Sequence, residues 1–464
     1  MYRFRTIDKL LGKYQELENQ EIYFASSDEL NDPMEGLRDV YWTGDEIVWE
    51  NFIKNYTKSL ERVYGLTILL SEDKIITEID IQVSYELLNF PSNQKKLITD
   101  EIIDKVFKIQ FINELPIGFS KRQAHIRRSE LLSYLQISHP LILNCIAEVY
   151  YNNGLTNKLL FHQNIDDIHK NNVLPEIINK LENESKENIS EYLFSFINQN
   201  FQSNNLHSQY EFSNKGIKPN IFFLISEFPN KFITKLENEI YPPWYSASFL
   251  GDNKNSAIWG HYGDNHKGVC LKYKTMREGD DLNLNLQTEY GYSSSPIIGM
   301  RPHRFRKIEY HNKHVEIDFF RSLGRLRKFE LNRLWYHNSN RILSECGSHL
   351  NSLEEEEKWR ETYWKNYNNS LKIKLKEWEY ENEYRLIIHG DFIDYTNASN
   401  RKLRYDFNDL ESITFGIKTS NSSKFEIIKI IENKCKENNR KRFDFFQAYY
   451  SKKSGQIESF KLNF

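Results

Sequence analysis

Apolar and polar residues alternate at the start of the chain, at Tyr2 and Phe4 and again at Ile22 and Phe24, a period of two that predicts two short strands. Helical spacing from Ile7 to Leu17 lies between them, so the chain opens as mixed α/β. From about residue 46 to 239 the period becomes 3.6, with Ile98, Ile102, Val106, Ile109 and Ile112 on one face. This middle stretch reads as a helical insertion, with turns expected at its Asn-rich joints, 198–205 and 214–220. Strand character returns after Pro243, at Ser246–Leu250 and Val269–Tyr273. A second helical stretch, 319–375, carries Trp359, Tyr363, Tyr367, Leu371 and Leu375 at four-residue spacing, which suits an aromatic face packed on a core. Strands are expected again at 385–389 and 412–415, a helix over 424–436, and a closing strand pair near 443–446 and 458–462. The pattern predicts an α+β fold whose mixed central sheet is built from N-terminal and C-terminal segments around a large helical insertion. The expected domains are a core of 1–45 and 240–464, including the helical 319–375, and an insertion of 46–239.

Composition narrows the class. Hydrophobic residues make up 39% and charged residues 27% of the 464, a globular balance, and apolar runs such as Leu141–Leu143 are too short to span a bilayer. The start, MYRFRTIDKLL, lacks the apolar core of a secretory signal, so a cytoplasmic location is expected. The four cysteines lie far apart with no CxxC pair, which suggests neither a zinc cluster nor a disulfide framework. A net charge of -3 gives no global reason to bind nucleic acid. Locally the picture differs: between Arg301 and Arg333 ten Lys or Arg face four acids, with Phe305, Tyr310, Phe319 and Phe320 interleaved. That run is either a solvated basic face or a nucleic-acid footprint.

Three runs carry candidate chemistry. In LNDPMEG, Leu30–Gly36, Asp32 suits a helix cap, Pro33 its first turn and Glu35 a capping box; alternatively Asn31 and Asp32 line a polar cleft beside the strand at Ile22–Ala25. In IWGHYGDNHKGVCLKY, Ile258–Tyr273, a helix end leads through a turn, to which Gly263, Asn265 and Gly268 bring backbone freedom, into a strand. His261 and His266 are five apart, not the four that presents two metal ligands on one helix face, so no metal is expected. With Tyr262 and Lys267 they suit a phosphate-binding loop or a solvated turn. In EWEYENEYRLII, Glu377–Ile388, extended geometry puts Glu381, Glu383 and Arg385 on one face and Tyr384, Leu386 and Ile388 on the other, core face. Glu383 and Arg385 then form a surface salt bridge or part of a site, and an isosteric Glu383→Gln change is expected to cost little packing.

YRFRTID, IYFASSDELNDPMEG, WGHYGDNHKGVCLKY and EYENEYRLI, in this order, resemble the family catalogued as domain of unknown function 2971. That family name supplies no reaction. The layout is also similar to that of ADP-ribosyltransferases, which implies a first-strand cation that anchors NAD, a middle aromatic residue or Ser, and a late-strand Glu. The matching positions are Arg3 or Arg5, Tyr23 with Ser26, and Glu381 or Glu383. On this reading NAD is the substrate, Glu383, Glu381 and His261 are catalytic, and Asn31, Asp32, Tyr262, His266 and Arg385 bind ligand. The alternatives are a nucleic-acid-binding or nuclease-like phage-defence protein using 301–333 with His261, His266 and Asp32, and a non-catalytic nucleotide sensor.

Overall fold

A computed structural model describes the chain except for residues 33, 35, 37, 71–73, 158–186, 215–218, 391–392 and 464. It divides into two compact units, one of residues 1–37, 242–314 and 368–464, the other of 38–241 and 315–367. No helix among the described residues is long and apolar enough to cross a membrane.

The first unit is built on a nine-stranded sheet. Its strands in chain order are β1 (Tyr2–Arg5), β2 (Ala25–Ser26), β3 (Trp244–Leu250), β4 (Val269–Tyr273), β5 (Arg306–Lys307), β6 (Glu383–His389), β7 (Leu410–Phe415), β8 (Asp444–Ser451) and β9 (Gln456–Lys461). The spatial order is β5-β6-β3-β1-β4-β7-β8-β9, with β2 also paired to β3. Every pairing is antiparallel except β7 with β8, which are joined through helix Asn421–Glu437. A parallel pair needs such a crossover, and Ile427 and Ile431 turn one face of that helix onto the core. Strand β3, WYSASFL, is buried at six of its seven positions. A strand covered on both faces loses the simple alternation that marks a half-exposed one. The α+β class with a mixed central sheet from both ends of the chain is thus as expected, although Ile7–Leu17 is two short helices, Ile7–Leu11 and Glu16–Asn19, broken by a left-handed Gln15. A five-stranded sheet carries the hairpin of Asp281–Tyr292 and Pro296–Arg304.

The second unit is largely helical, with Glu46–Leu69 and Arg128–Asn152 as long members. Two expectations are corrected here. Residues 315–367 cluster with this unit and not with the sheet domain, because strand Glu316–Asp318 pairs in parallel with Asp39–Trp42 and Phe319, Phe320 and Trp335 bury themselves with Trp42 and Trp49. Residues 198–205 are no joint but the interior of helix Glu187–Asn214. Asn198 tolerates that position because its side-chain Nδ2 donates to the carbonyls of Phe194 and Ser129. Of the other expected joint, residues 215–218 lie outside the described residues.

Candidate functional site

The site originates in a split of the large sheet. β1 pairs with β4 along its whole length but touches β3 only at Tyr2, opposite Leu250. Further along, β2 takes over as the neighbour of β3, with Ala25 opposite Ser246. Between these two points the sheet opens into a cleft of about 570 Å³. Ser246, Ala247 and Ser248 all line it. Successive side chains on a strand point to opposite faces, so three consecutive lining residues mean that the backbone edge of β3 is itself part of the wall.

Cations from β1 enter first. Arg3 is only 5% exposed, and burial, with Arg5 nearby, pushes its pKa down to about 10 against the opposing pull of Glu16. Its Nη2 donates to the Tyr23 carbonyl at 3.0 Å, and its guanidinium carbon lies 5.3 Å from the centre of the Phe249 ring. Its Nη1 is buried with no hydrogen-bond partner among the described residues. Arg5 differs, because Glu16 clamps it through both Nε and Nη2. Phe4, on the opposite face of the strand, packs edge-on against Trp259. Lys9 and Lys402 add further positive charge to the lining.

Carboxylates form another part of the wall. Glu381 and Glu383, both buried, reach the cleft together with Lys374, whose Nζ lies 2.8 Å from Glu381 Oε2 and 3.2 Å from Glu383 Oε2. The Tyr262 hydroxyl donates to Glu381 Oε1 at 2.6 Å. Arg385 holds Glu383 from both ends, Nε to Oε1 at 2.8 Å and Nη2 to Oε2 at 2.9 Å. Of the two readings of this pair, the surface salt bridge is corrected: Glu383 is 2% and Arg385 1% exposed. Glu381 is not on the strand either. It ends the short 3-10 helix Lys376–Glu381, and left-handed Asn382 turns the chain into β6. Burial pushes the Glu383 carboxyl up, with Lys374 opposing, and burial lowers the Arg385 guanidinium to about 9, with Asp32 opposing.

His261, Tyr262 and Asn31 also line the cleft. His261 is exposed at the end of helix Ser256–His261, with Nδ1 3.4 Å from the Tyr380 hydroxyl. Tyr23 lines it too, its hydroxyl donating to Glu29. Ser26 stands back from the lining, spending its Oγ and N–H on Glu29 in a capping box. This box lies upstream of the one expected at Asp32 and Glu35; Pro33 and Glu35 lie outside the described residues. Asp32 is buried, accepts from the Met34 N–H, and is not part of the lining.

His266 is also outside the lining, for a backbone reason. Asp264, Asn265 and His266 all take left-handed φ, and the His266 carbonyl accepts from Lys418, pinning the turn to the end of β7. Asn265 thus has the freedom expected of it, and Asp264 and His266 take the left-handed φ expected of Gly263 and Gly268. Gly268 is needed for close approach instead: a Cβ on it would stand 2.3 Å from the Arg5 carbonyl. Lys374 escaped the sequence reading, because Leu371 and Leu375 continue a helical spacing that masks the short strand Ile373–Leu375. The basic run 301–333 is divided between the two units after His314, and Arg304, Arg321, Arg325 and Lys328 are held in ion pairs. No group of three or more potential ligands among the described residues could hold a metal ion.

Residues 258–386 match the model of a family described as protein of unknown function, DUF2971. The chain carries a DUF2971 segment. No curated protein and no solved structure matches the chain. The DUF2971 segment begins beside His261 and Tyr262 and ends just beyond Arg385, so it contains the whole carboxylate wall with Lys374. Arg3, Arg5 and Tyr23 lie outside it and reach the cleft through the sheet.

Proposed function

We propose that the cleft of the first unit binds a nucleotide, that the nucleotide is NAD, and that the protein transfers ADP-ribose from it. The observation that carries this reading is Arg3 Nη1, a guanidinium nitrogen buried without a protein partner among the described residues, at a cleft whose lining also includes the buried Glu381 and Glu383. A buried cation lacking a counter-charge is costly, and a phosphate oxygen offers both the charge and the hydrogen-bond acceptor that Arg3 lacks. Arg3 stands on β1 and Glu383 on β6, with Glu381 just before β6; two strand spacings across β3 are about 10 Å where the sheet is closed. A sugar-phosphate unit bridges that span, where a single ion does not.

In the reaction the glycosidic bond to nicotinamide breaks, its electron pair leaving on the ring nitrogen. An acceptor lone pair forms the new bond to the same sugar carbon, and the acceptor proton is released. Glu381 suits the stabilisation of the positive charge developing on the ribose better than Glu383: the Arg385 guanidinium grips both Glu383 oxygens, whereas Glu381 meets one ammonium on Oε2 and a neutral hydroxyl on Oε1. The test is nicotinamide release from NAD by the parent, Arg3→Met and Glu381→Gln proteins, with protein and nucleic-acid acceptors supplied. Release by the parent and its loss in both variants is expected. A parent that binds a nucleotide tightly without turnover points to a sensor, and one that neither binds NAD nor releases nicotinamide defeats the proposal.

A further inference from the structure

Lys374 stands between Glu381 and Glu383 in the wall of the cleft. Its side chain is 4% exposed, its Nζ bonds one oxygen of each carboxylate, and the ammonium lies 4.8 Å from the centre of the Trp378 ring. We infer that Lys374 is a positioning residue which keeps Glu381 ionised beside ionised Glu383 and directs its carboxylate toward the ligand.

The argument is one of charge. Two carboxylates sharing one buried site do not both ionise unaided, and one then takes a proton. Glu383 has its own cation in Arg385, and Ser248 adds a hydrogen bond. Tyr310 accepts the Glu383 backbone N–H rather than its carboxylate. Glu381 has only Lys374 and the neutral hydroxyl of Tyr262, which burial and Glu381 itself hold well above its usual pKa. Burial works against the charge of Lys374, yet Glu383 and Glu381 outweigh it and hold the ammonium above its ordinary range. Asp32 faces Arg385 from the N-terminal segment and carries no positive charge to replace Lys374. Removing Lys374 therefore leaves Arg385, which holds Glu383, as the cation beside the two carboxylates, and the pair must take up a proton.

The assignment deepens the NAD reading, but its test is independent of turnover. Difference infrared spectra of the full chain at neutral pH, variant against parent, should show an added carboxylic-acid band in Lys374→Met, none in Lys374→Arg, and its loss when Glu381→Gln is added to Lys374→Met. If the parent releases nicotinamide, the acid limb of that activity should move up by about one to three pH units in Lys374→Met and return in Lys374→Arg. Lack of a new band in folded Lys374→Met overturns the inference whether or not NAD is consumed. Should Lys374→Met fail to fold, difference spectra of the parent against Glu381→Gln decide: loss of an ionised carboxylate supports the inference, and loss of a protonated one overturns it.

Discussion

Arg385 and Glu383, two residues apart on β6, meet side by side in a bidentate pair closed to solvent, with both nitrogen–oxygen distances under 3 Å. Breaking such a pair takes from the buried guanidinium the carboxylate that holds it and leaves Lys374 with Glu381 alone. Glu383→Gln is therefore expected to destabilise the protein by about 3–5 kcal/mol in urea or thermal unfolding. This reverses the expectation drawn from the alternation alone. A loss below about 1 kcal/mol, the range of an exposed pair, would contradict it.

Arg3 predicts the opposite balance. Its charge is buried without a carboxylate of its own, so Arg3→Met should leave the melting temperature equal or higher in the absence of ligand. Nucleotide affinity should fall by roughly ten- to a hundredfold, the size of a lost charged hydrogen bond. Titration calorimetry beside thermal melts checks both parts. A strongly destabilised Arg3→Met with unchanged affinity would mark Arg3 as structural.

Gly268→Ala tests how the turn after Tyr262 seats against β1. The added methyl meets the Arg5 carbonyl at 2.3 Å and the Gly263 carbonyl at 3.0 Å, both backbone atoms that cannot swing aside. A loss of about 1–3 kcal/mol is expected, with weaker ligand binding because Arg5 lines the cleft. An unchanged melting temperature would mean that the two segments are not in contact as described.

In the second unit, His139 sets a pH dependence. Its Nε2 faces the Leu224 carbonyl at 2.8 Å, which only accepts, so Nε2 carries the proton and Nδ1 accepts from the Tyr56 hydroxyl at 2.7 Å. Burial lowers its pKa to about 4, with the Leu224 bond opposing. The unfolded chain, with a histidine pKa near 6.5, binds the proton first. The stability His139 contributes is thus complete above about pH 6.5 and is lost as pH falls toward 4, by on the order of 3 kcal/mol. Unfolding free energies from pH 4 to 7 for the parent and His139→Gln check this; equal slopes would contradict it.

The alternation at Tyr2 and Phe4 and the run VCLKY were enough to place β1 and β4, because a strand with apolar side chains at every second position has few alternatives. Local period is blind to partnership. It marks Phe319 and Phe320 as core residues without saying which core, and they join the helical unit. It sets Glu383 and Arg385 on one face without saying that this face is covered as well. Arg3 was legible as a first-strand cation. Its free nitrogen was not, since that depends on β1 leaving β3 after Tyr2, a long-range event with no local signal.

Determining the structure of the protein with saturating NAD tests the central claim most directly. The account predicts the dinucleotide in the cleft between β1 and β3, with a diphosphate oxygen in hydrogen-bond contact with Arg3 Nη1 and the nicotinamide ribose against Glu381. NAD bound elsewhere, or a cleft that stays empty at saturation while Arg3 Nη1 remains without a partner, would contradict it.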